Sequence, residues 1–263
     1  MKIALIGGGV MGEAIVSRLL FQKVTGSGDI VISDANRQRR ELLNEKYGVE
    51  TLYDNCLAIE GADIVVLAIK PGDLSRIMRE IKASLSQQVV LSIVAGASLD
   101  ELCRGLEYSP VVRAMPNMPV CIGEGMTVWI AGAGVSEEQK ELSRLILSAV
   151  GKEKCVEEEK YLDMATALSG SGPAYIFLVI EALIDAGVHI GLSRDVAREL
   201  VVQTILGSTR ALEQLNRHPA ELRNMVTSPG GTTAEALLYL EKGGLRSLFL
   251  QAVTAAYDKA RCL

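Results

Sequence analysis

Gly7, Gly9 and Gly12 follow the apolar run Ile3–Ile6 with the spacing G-x-G-x-x-G. Between a strand and a helix, that spacing suits a dinucleotide. The first glycine permits the turn, the second lets a pyrophosphate approach the backbone, and the third lets helix and strand pack closely. The phosphates then lie over free amide N–H groups at the helix start. Glycines in such a turn can also be purely structural, so their surroundings matter. Here the motif opens an amphipathic stretch (Met11, Ile15, Val16, Leu19, Leu20) and is followed by a second apolar strand, 30–32, that ends in Ser33 and Asp34. An acidic residue about twenty positions past the glycines is where a ribose hydroxyl is held. Two more glycine-rich stretches precede helical patterns. "SGSGPAY", 169–175, puts Pro173 in a first helical turn, and "SPGGTT", 228–233, leads into Thr232 and Glu235 at capping-box spacing. A dinucleotide needs one anion-binding helix start, which leaves the last loop for a substrate carboxylate. A plain turn between helices would use the same Gly230 and Gly231.

Acid–base groups are sparse. The chain has 2 histidines, His189 in an apolar helical stretch and His218 before Pro219, a capping position. Oxidising an alcohol requires a positioned base, usually His or Lys. Lys70, in "AIKPGD" at the end of an apolar run, is the lysine in a suitable place, and Pro71 beside it indicates a rigid turn along a cofactor. A substrate with a protonated C=N bond relaxes this need, because its carbon is already electrophilic. The 5 cysteines are scattered without a C-x-x-C pair, which fits reduced thiols in the cytoplasm and neither a disulfide framework nor a zinc site. Glu181, Asp185 and His189 share one helical face; a narrow polar stripe on a buried helix explains them better than a metal face, and no metal is expected. A net charge of −5 and a pI near 5.3 argue against nucleic acid as a partner.

These groups need elements to carry them. Apolar strands are expected at 2–6, 29–33, 63–69, 88–94, 111–115, 126–131 and near Cys155, with helical patterns between them, which reads as a parallel sheet with crossover helices. Ser98 with Glu101 and Ser136 with Gln139 are spaced as capping boxes. Beyond Glu158 the strand signal stops and helices follow, punctuated at 169–173, 191–193, 218–219 and 228–231. The expected domains are 1–157 and 158–263. The stretch 173–192 approaches membrane-spanning length, but Glu181 and Asp185 in its middle disfavour lipid. No membrane partner and no export signal are expected, since Glu13 and Arg18 interrupt the first apolar run. A helix apolar on most of its circumference needs more cover than so small a domain provides, which points to dimerisation through it.

In order along the chain, "IGGGVMG", "AIKP", "RAMPN", "SGSGPAY" and "SPGGTTAEALLYLE" closely resemble the pyrroline-5-carboxylate reductases. The resemblance covers essentially the whole chain, and the 228–241 segment is its most specific part. It implies hydride transfer from NADPH or NADH to the ring imine carbon of pyrroline-5-carboxylate, giving L-proline. It also implies an α/β architecture: an N-terminal Rossmann domain followed by an all-helical domain that forms a homodimer, often five dimers in a ring. By matching motif, Ile6, Gly7, Gly8, Gly9, Val10 and Met11 would line the pyrophosphate, with Gly12 completing the turn, and Ser33 would lie near the adenosine ribose or its phosphate. Asn55, Ala68, Ile69, Lys70, Pro71 and Ala95 would flank the cofactor. Glu159, Thr232 and Thr233 would contact the substrate, with Ser228, Pro229, Gly230 and Gly231 around its carboxylate and Thr233 as the catalytic candidate. Many family members are neutral at the position of Asp34, which suits the free 2′-hydroxyl of NAD, whereas Asn36 and Arg37 favour the 2′-phosphate of NADP. A 3-hydroxyacid-type reductase on the same plan would need a lysine in 173–192, which has none. A non-catalytic NAD(P)-sensing module would have no use for a second anion-binding loop.

Overall fold

Strands apolar on both faces are stable only where helices cover both sides of their sheet. The computed structural model describes residues 1–262 and builds such a sheet. In chain order its elements are β1 (Ile3–Ile6), α1 (Val10–Phe21), β2 (Ile30–Ser33), α2 (Arg37–Tyr47), β3 (Glu50–Leu52), α3 (Asn55–Ile59), β4 (Ile64–Leu67), α4 (Leu74–Ile81), β5 (Val89–Ser92), α5 (Leu99–Leu106), β6 (Val111–Met115), β7 (Gly125–Ala131), α6 (Glu137–Ala149) and β8 (Gly151–Cys155). The strand order is β3-β2-β1-β4-β5-β6-β7-β8. Alternate residues of β1 enter opposite layers. Ile3 and Leu5 join Ile15, Leu19 and Trp129 on one face; Ala4 and Ile6 join Ile77, Ile81 and Leu102 on the other.

Three features depart from the sequence expectation. The sheet is not wholly parallel, because β7 runs antiparallel to β6. Between Met115 and Gly125 the chain makes only a 3₁₀ turn, Met118–Ile122, too short for the crossover that a parallel pair requires. The edge strand β3 was not expected, since Glu50-Thr51-Leu52 is short and partly exposed and carries no apolar run. Ser136 and Gln139 form the full capping box, whereas Ser98 accepts from the Glu101 amide without the reciprocal bond.

The remaining elements are helical: α7 (Lys160–Ala165), a π-helical turn (Thr166–Gly170), α8 (Gly172–His189), α9 (Arg194–Leu215), α10 (Pro219–Met225), α11 (Thr232–Lys242) and α12 (Leu245–Ala260). Two compact units result, one of residues 1–171 together with the chain from Ala256, the other of 172–255. The segment 158–171 groups with the first because Leu162, fully buried, packs on Val128 and Ile130 of β7. In the second unit Ser193 caps α9, and His218 caps α10 by accepting the Ala220 N–H at 3.2 Å. Asp185 pairs with Arg194 at 2.9 Å, and among the described residues no group of three or more His, Cys, Asp or Glu is arranged to hold a metal ion.

The buried helix expected at 173–190 is not buried within one chain. In α8 Ile176, Phe177 and Leu178 are 49%, 51% and 66% exposed. By length and composition alone, 160–189 is a helical stretch apolar enough to cross a membrane.

A close approach in the sheet layer is at Gly12, where an added Cβ would stand 2.2 Å from the Gly7 carbonyl oxygen and 2.9 Å from Leu5 Cδ2. Gly12→Ala should therefore lower stability by about 1–3 kcal/mol through overpacking. Urea unfolding checks this; an unchanged midpoint would mean that α1 can retreat without cost.

Candidate active site

From β1 the chain crosses to β2 on one side, and from β4 to β5 on the other, so a crevice opens at the carboxyl ends of these two adjacent strands. A cleft of about 340 Å³ occupies this place, lined by Ile6, Gly7, Gly9, Ser33, Asp34, Asn55, Ala68, Ile69 and Lys70, all of them sequence candidates. Ala35, Tyr53, Asp73, Arg76, Ile77 and Glu80 complete the lining. Sequence reasoning missed this second set, whose residue types carry no motif. Gly8, Val10, Met11, Gly12, Asn36, Arg37, Pro71 and Ala95 lie outside the lining.

The three motif glycines have separate reasons to lack a side chain. Gly7 has φ +100°, and a Cβ there would strike the Ala68 carbonyl oxygen at 2.5 Å. Gly9 has nothing within 4 Å of a built Cβ, so the space above it is open. Gly12 packs on Gly7 as described. The first helical hydrogen bond of α1 runs from the Glu13 N–H to the Gly9 carbonyl, which leaves the amides of Val10 and Met11 ahead of it. An open glycine below uncommitted amides at a helix start fits a pyrophosphate.

Around this turn the polar groups are tied to one another. Asp34 Oδ2 accepts the Gly8 N–H at 2.8 Å, and its Oδ1 accepts the Asn36 N–H at 2.8 Å. Ser33 Oγ donates to Asn55 Oδ1 at 2.6 Å, and Asn55 Nδ2 donates to Glu80. Asn36 caps α2, and Arg37 pairs with Glu41 at 2.7 Å in solvent. The guanidinium beside Asp34 is that of Arg40, which donates to the Asp34 carbonyl at 2.6 Å and lies 5.5 Å from the Tyr53 ring centroid. Lys70 is exposed and caps the 3₁₀ turn that Pro71 begins, while Ala95 sits in the turn after β5.

Glu159 has a structural engagement: its Oε1 accepts both the Leu99 N–H that starts α5 and Arg113 Nη1, each at 2.7 Å. Arg113, with 8% of its side chain exposed, also reaches Asp163 at 3.2 Å.

In the helical unit, Ser228–Gly231 is a β-turn closed by Gly231 N–H to Ser228 C=O at 3.1 Å, with Pro229 second and Gly230 third at φ +68°. The capping box expected at Thr232 is absent. Gly231 is the N-cap, makes no side-chain bond, and Thr232 is the first helical residue. The glycine takes the extended cap conformation, displacing the threonine by one position. The first bonds of α11 run from Ala234 and Glu235 back to Gly231, so the amides of Thr232 and Thr233 precede them. Thr233 is half-buried.

A doubly wound sheet with a glycine turn and uncommitted amides at its switch point defines a dinucleotide-binding protein of the Rossmann class. Residues 159–263 match a family profile described as pyrroline-5-carboxylate reductase dimerisation, and residues 2–96 one described as NADP oxidoreductase coenzyme F420-dependent. A pyrroline-5-carboxylate reductase from Synechocystis is 40% identical over 99% of this chain and 97% of the relative. Among solved structures, the Coxiella burnetii pyrroline-5-carboxylate reductase superposes with a TM-score of 0.92 at 38% identity, covering 99% of this chain and 97% of that one. The Plasmodium falciparum pyrroline carboxylate reductase, solved with NADP bound, gives 0.91 at 31% identity, covering 100% and 97%. The chain belongs to the pyrroline-5-carboxylate reductase family, NAD(P)H-dependent oxidoreductases that act on a C=N bond, and it carries the family's oligomerising helical domain.

Behind the glycine turn, Glu13 Oε1 accepts Lys46 Nζ at 2.8 Å and Tyr47 Oη at 2.9 Å, while Oε2 meets Arg39. The Lys46 bond, helped by those of Arg39 and Tyr47 and opposed by burial, lowers the Glu13 pKa from 4.5 to about 2. The stability contributed by ionised Glu13 is thus fully present above pH 4.5 and lost as pH falls through about 2. In urea unfolding, the difference between parent and Glu13→Gln should stay constant above about pH 5 and shrink toward pH 2. A pH-independent difference would show that the ionised carboxylate is not what stabilises the cluster.

Proposed function

We propose that this protein reduces the ring imine of 1-pyrroline-5-carboxylate to L-proline as a soluble cytoplasmic enzyme, taking hydride from NADPH and also accepting NADH. The observation that carries the reading is the pair of glycine turns, at α1 and at α11, that each leave helix-start amides uncommitted. One suits a pyrophosphate and the other a carboxylate. Bound in the β1–β4 crevice, a reduced nicotinamide supplies the hydride. The chain's own residues then bind and orient. Ile6 to Gly12, with Ser33, Asn55, Ala68 to Pro71 and Ala95, hold the dinucleotide; the 228–231 turn and the Thr232 and Thr233 amides hold the carboxylate; Glu159 contacts the substrate. Asp34, whose two oxygens already accept amide bonds, shares its surroundings with Arg40, which supports tolerance of a 2′-phosphate. Asn36 and Arg37 begin α2 outside the cleft lining, the first as its cap and the second paired with Glu41.

Thr233 Oγ1 accepts the N–H of the protonated imine and so fixes the ring. A hydroxyl is too weak an acid to do more, and a protonated imine needs no more. Such a bond to a charged group contributes about 1.5–3 kcal/mol. Thr233→Val should then lower kcat/KM for pyrroline-5-carboxylate by about ten- to a hundredfold with cofactor affinity unchanged. Full activity at subsaturating substrate would remove Thr233 from the site. Asp34→Ser should raise the NADPH/NADH ratio of kcat/KM and lower stability by about 1.5–3 kcal/mol through loss of hydrogen bonds to its charged carboxylate; an unchanged ratio would place the carboxylate away from the 2′ position.

The deciding assay mixes protein, pyrroline-5-carboxylate and either NADPH or NADH, following absorbance loss and proline formation. No proline with both cofactors would sink the reading. The exposed apolar face of α8 supports a homodimer as the basic unit, with a ring of five dimers as the larger assembly, and sedimentation of the full chain tests both.

A further inference from the structure

One guanidinium holds the dinucleotide turn from behind. Arg39, in the first turn of α2, has 23% of its side chain exposed; its Nε donates to the Gly8 carbonyl and its Nη2 to the Gly9 carbonyl at 3.4 Å and to Glu13. On the other edge of the same turn, the Gly8 N–H is held by Asp34. The chain contains no cis peptide, and in a trans peptide the C=O and N–H point in opposite directions. With its carbonyl drawn to α2, the Gly8–Gly9 peptide directs the Gly9 N–H away from α2. That amide has no partner among the described residues, and Gly9 lines the cleft, whereas a Cβ on Gly8 would run into Leu43 of α2 at 2.5 Å.

Three successive glycines, Gly7, Gly8 and Gly9, have wide conformational freedom. A flip of the Gly8–Gly9 peptide would present a carbonyl oxygen where the amide stands and repel a phosphate. We propose that Arg39 is a positioning residue for the dinucleotide: it locks the Gly8–Gly9 peptide so that the Gly9 amide faces the pyrophosphate. Glu13 in turn fixes the guanidinium and is held by Lys46 and Tyr47. The inference rests on the reading of the cleft as the dinucleotide site. Arg39 is engaged with the Gly8 and Gly9 carbonyls and with Glu13; it acts through the peptide, as a cation at the oxygen end of a dipole whose hydrogen end faces the ligand.

The test titrates NADPH by its fluorescence against parent, Arg39→Met and Arg39→Lys, with kcat, the KM for pyrroline-5-carboxylate and Tm measured alongside. Arg39→Met removes the lock, and Kd for NADPH should rise about tenfold or more, while kcat at saturating NADPH and the KM for the imine stay within about twofold. Arg39→Lys keeps the charge but not the fork that spans Gly8 and Glu13, so it should fold with a Tm near the parent's and still weaken NADPH by about threefold or more. A merely structural role would lower Tm and leave this split between Kd and kcat unmoved. NADPH bound by either folded variant within about twofold of the parent overturns the inference alone. A parent that binds no NADPH overturns the cleft reading and the inference with it.

Discussion

Helix α1 lies so close to β1 that the Gly7 carbonyl occupies the space a side chain at Gly12 would need. This contact brings the amino end of α1 to the carboxyl end of the sheet, with its first amides beside the crevice. The neighbouring strands are tied to the same point. Gly7 donates to the Ser33 carbonyl at 2.8 Å, and Ile6 stands opposite both Ser33 and Leu67 in register. Ser33, Asp34, Ala68 and Ile69 therefore reach the cleft from neighbouring strands because β1 sets where each strand ends.

The side chains around the turn are engaged with one another and with the Gly8 and Asn36 amides, which leaves the Gly9, Val10 and Met11 amides uncommitted. Asp34 takes the Gly8 and Asn36 amides; Arg39 is matched by Glu13, which Lys46 and Tyr47 also satisfy. Such pairs have modest net worth where solvent reaches them, and their value here is geometric. The same division of labour recurs where α7 begins, with buried Arg113 bound to Glu159 and Asp163 while Glu159 caps α5. A buried cation needs its carboxylates, so Glu159 has a structural task besides any at the substrate.

The helical unit presents a different constraint. Ile176, Phe177 and Leu178, with Leu200, Val202 and Leu206 of α9, are all at least 41% exposed in one chain. Burying such side chains is worth about 1.5–3 kcal/mol each, so cover of this face in an oligomer would stabilise the unit and tie its stability to protein concentration.

The amino-acid sequence by itself determined the alternation of strand and helix up to Cys155, the helical remainder, the glycine turn between β1 and α1 and the caps at Ser136 and His218. These features are local: hydrophobic period, turn stereochemistry and short-range hydrogen bonds are written in adjacent residues. Only the tertiary structure decided that β7 runs antiparallel, that Gly231 and not Thr232 caps α11, that α7 packs on β7 through Leu162, and that Arg39 reaches back to Gly8. Each of these depends on which distant residue fills a given space. Arg37, Arg39 and Arg40 look alike as a basic cluster, yet one faces solvent, one holds the glycine turn and one lies beside Tyr53. Helical rotation separates their directions, and what each side chain meets there belongs to other segments of the chain.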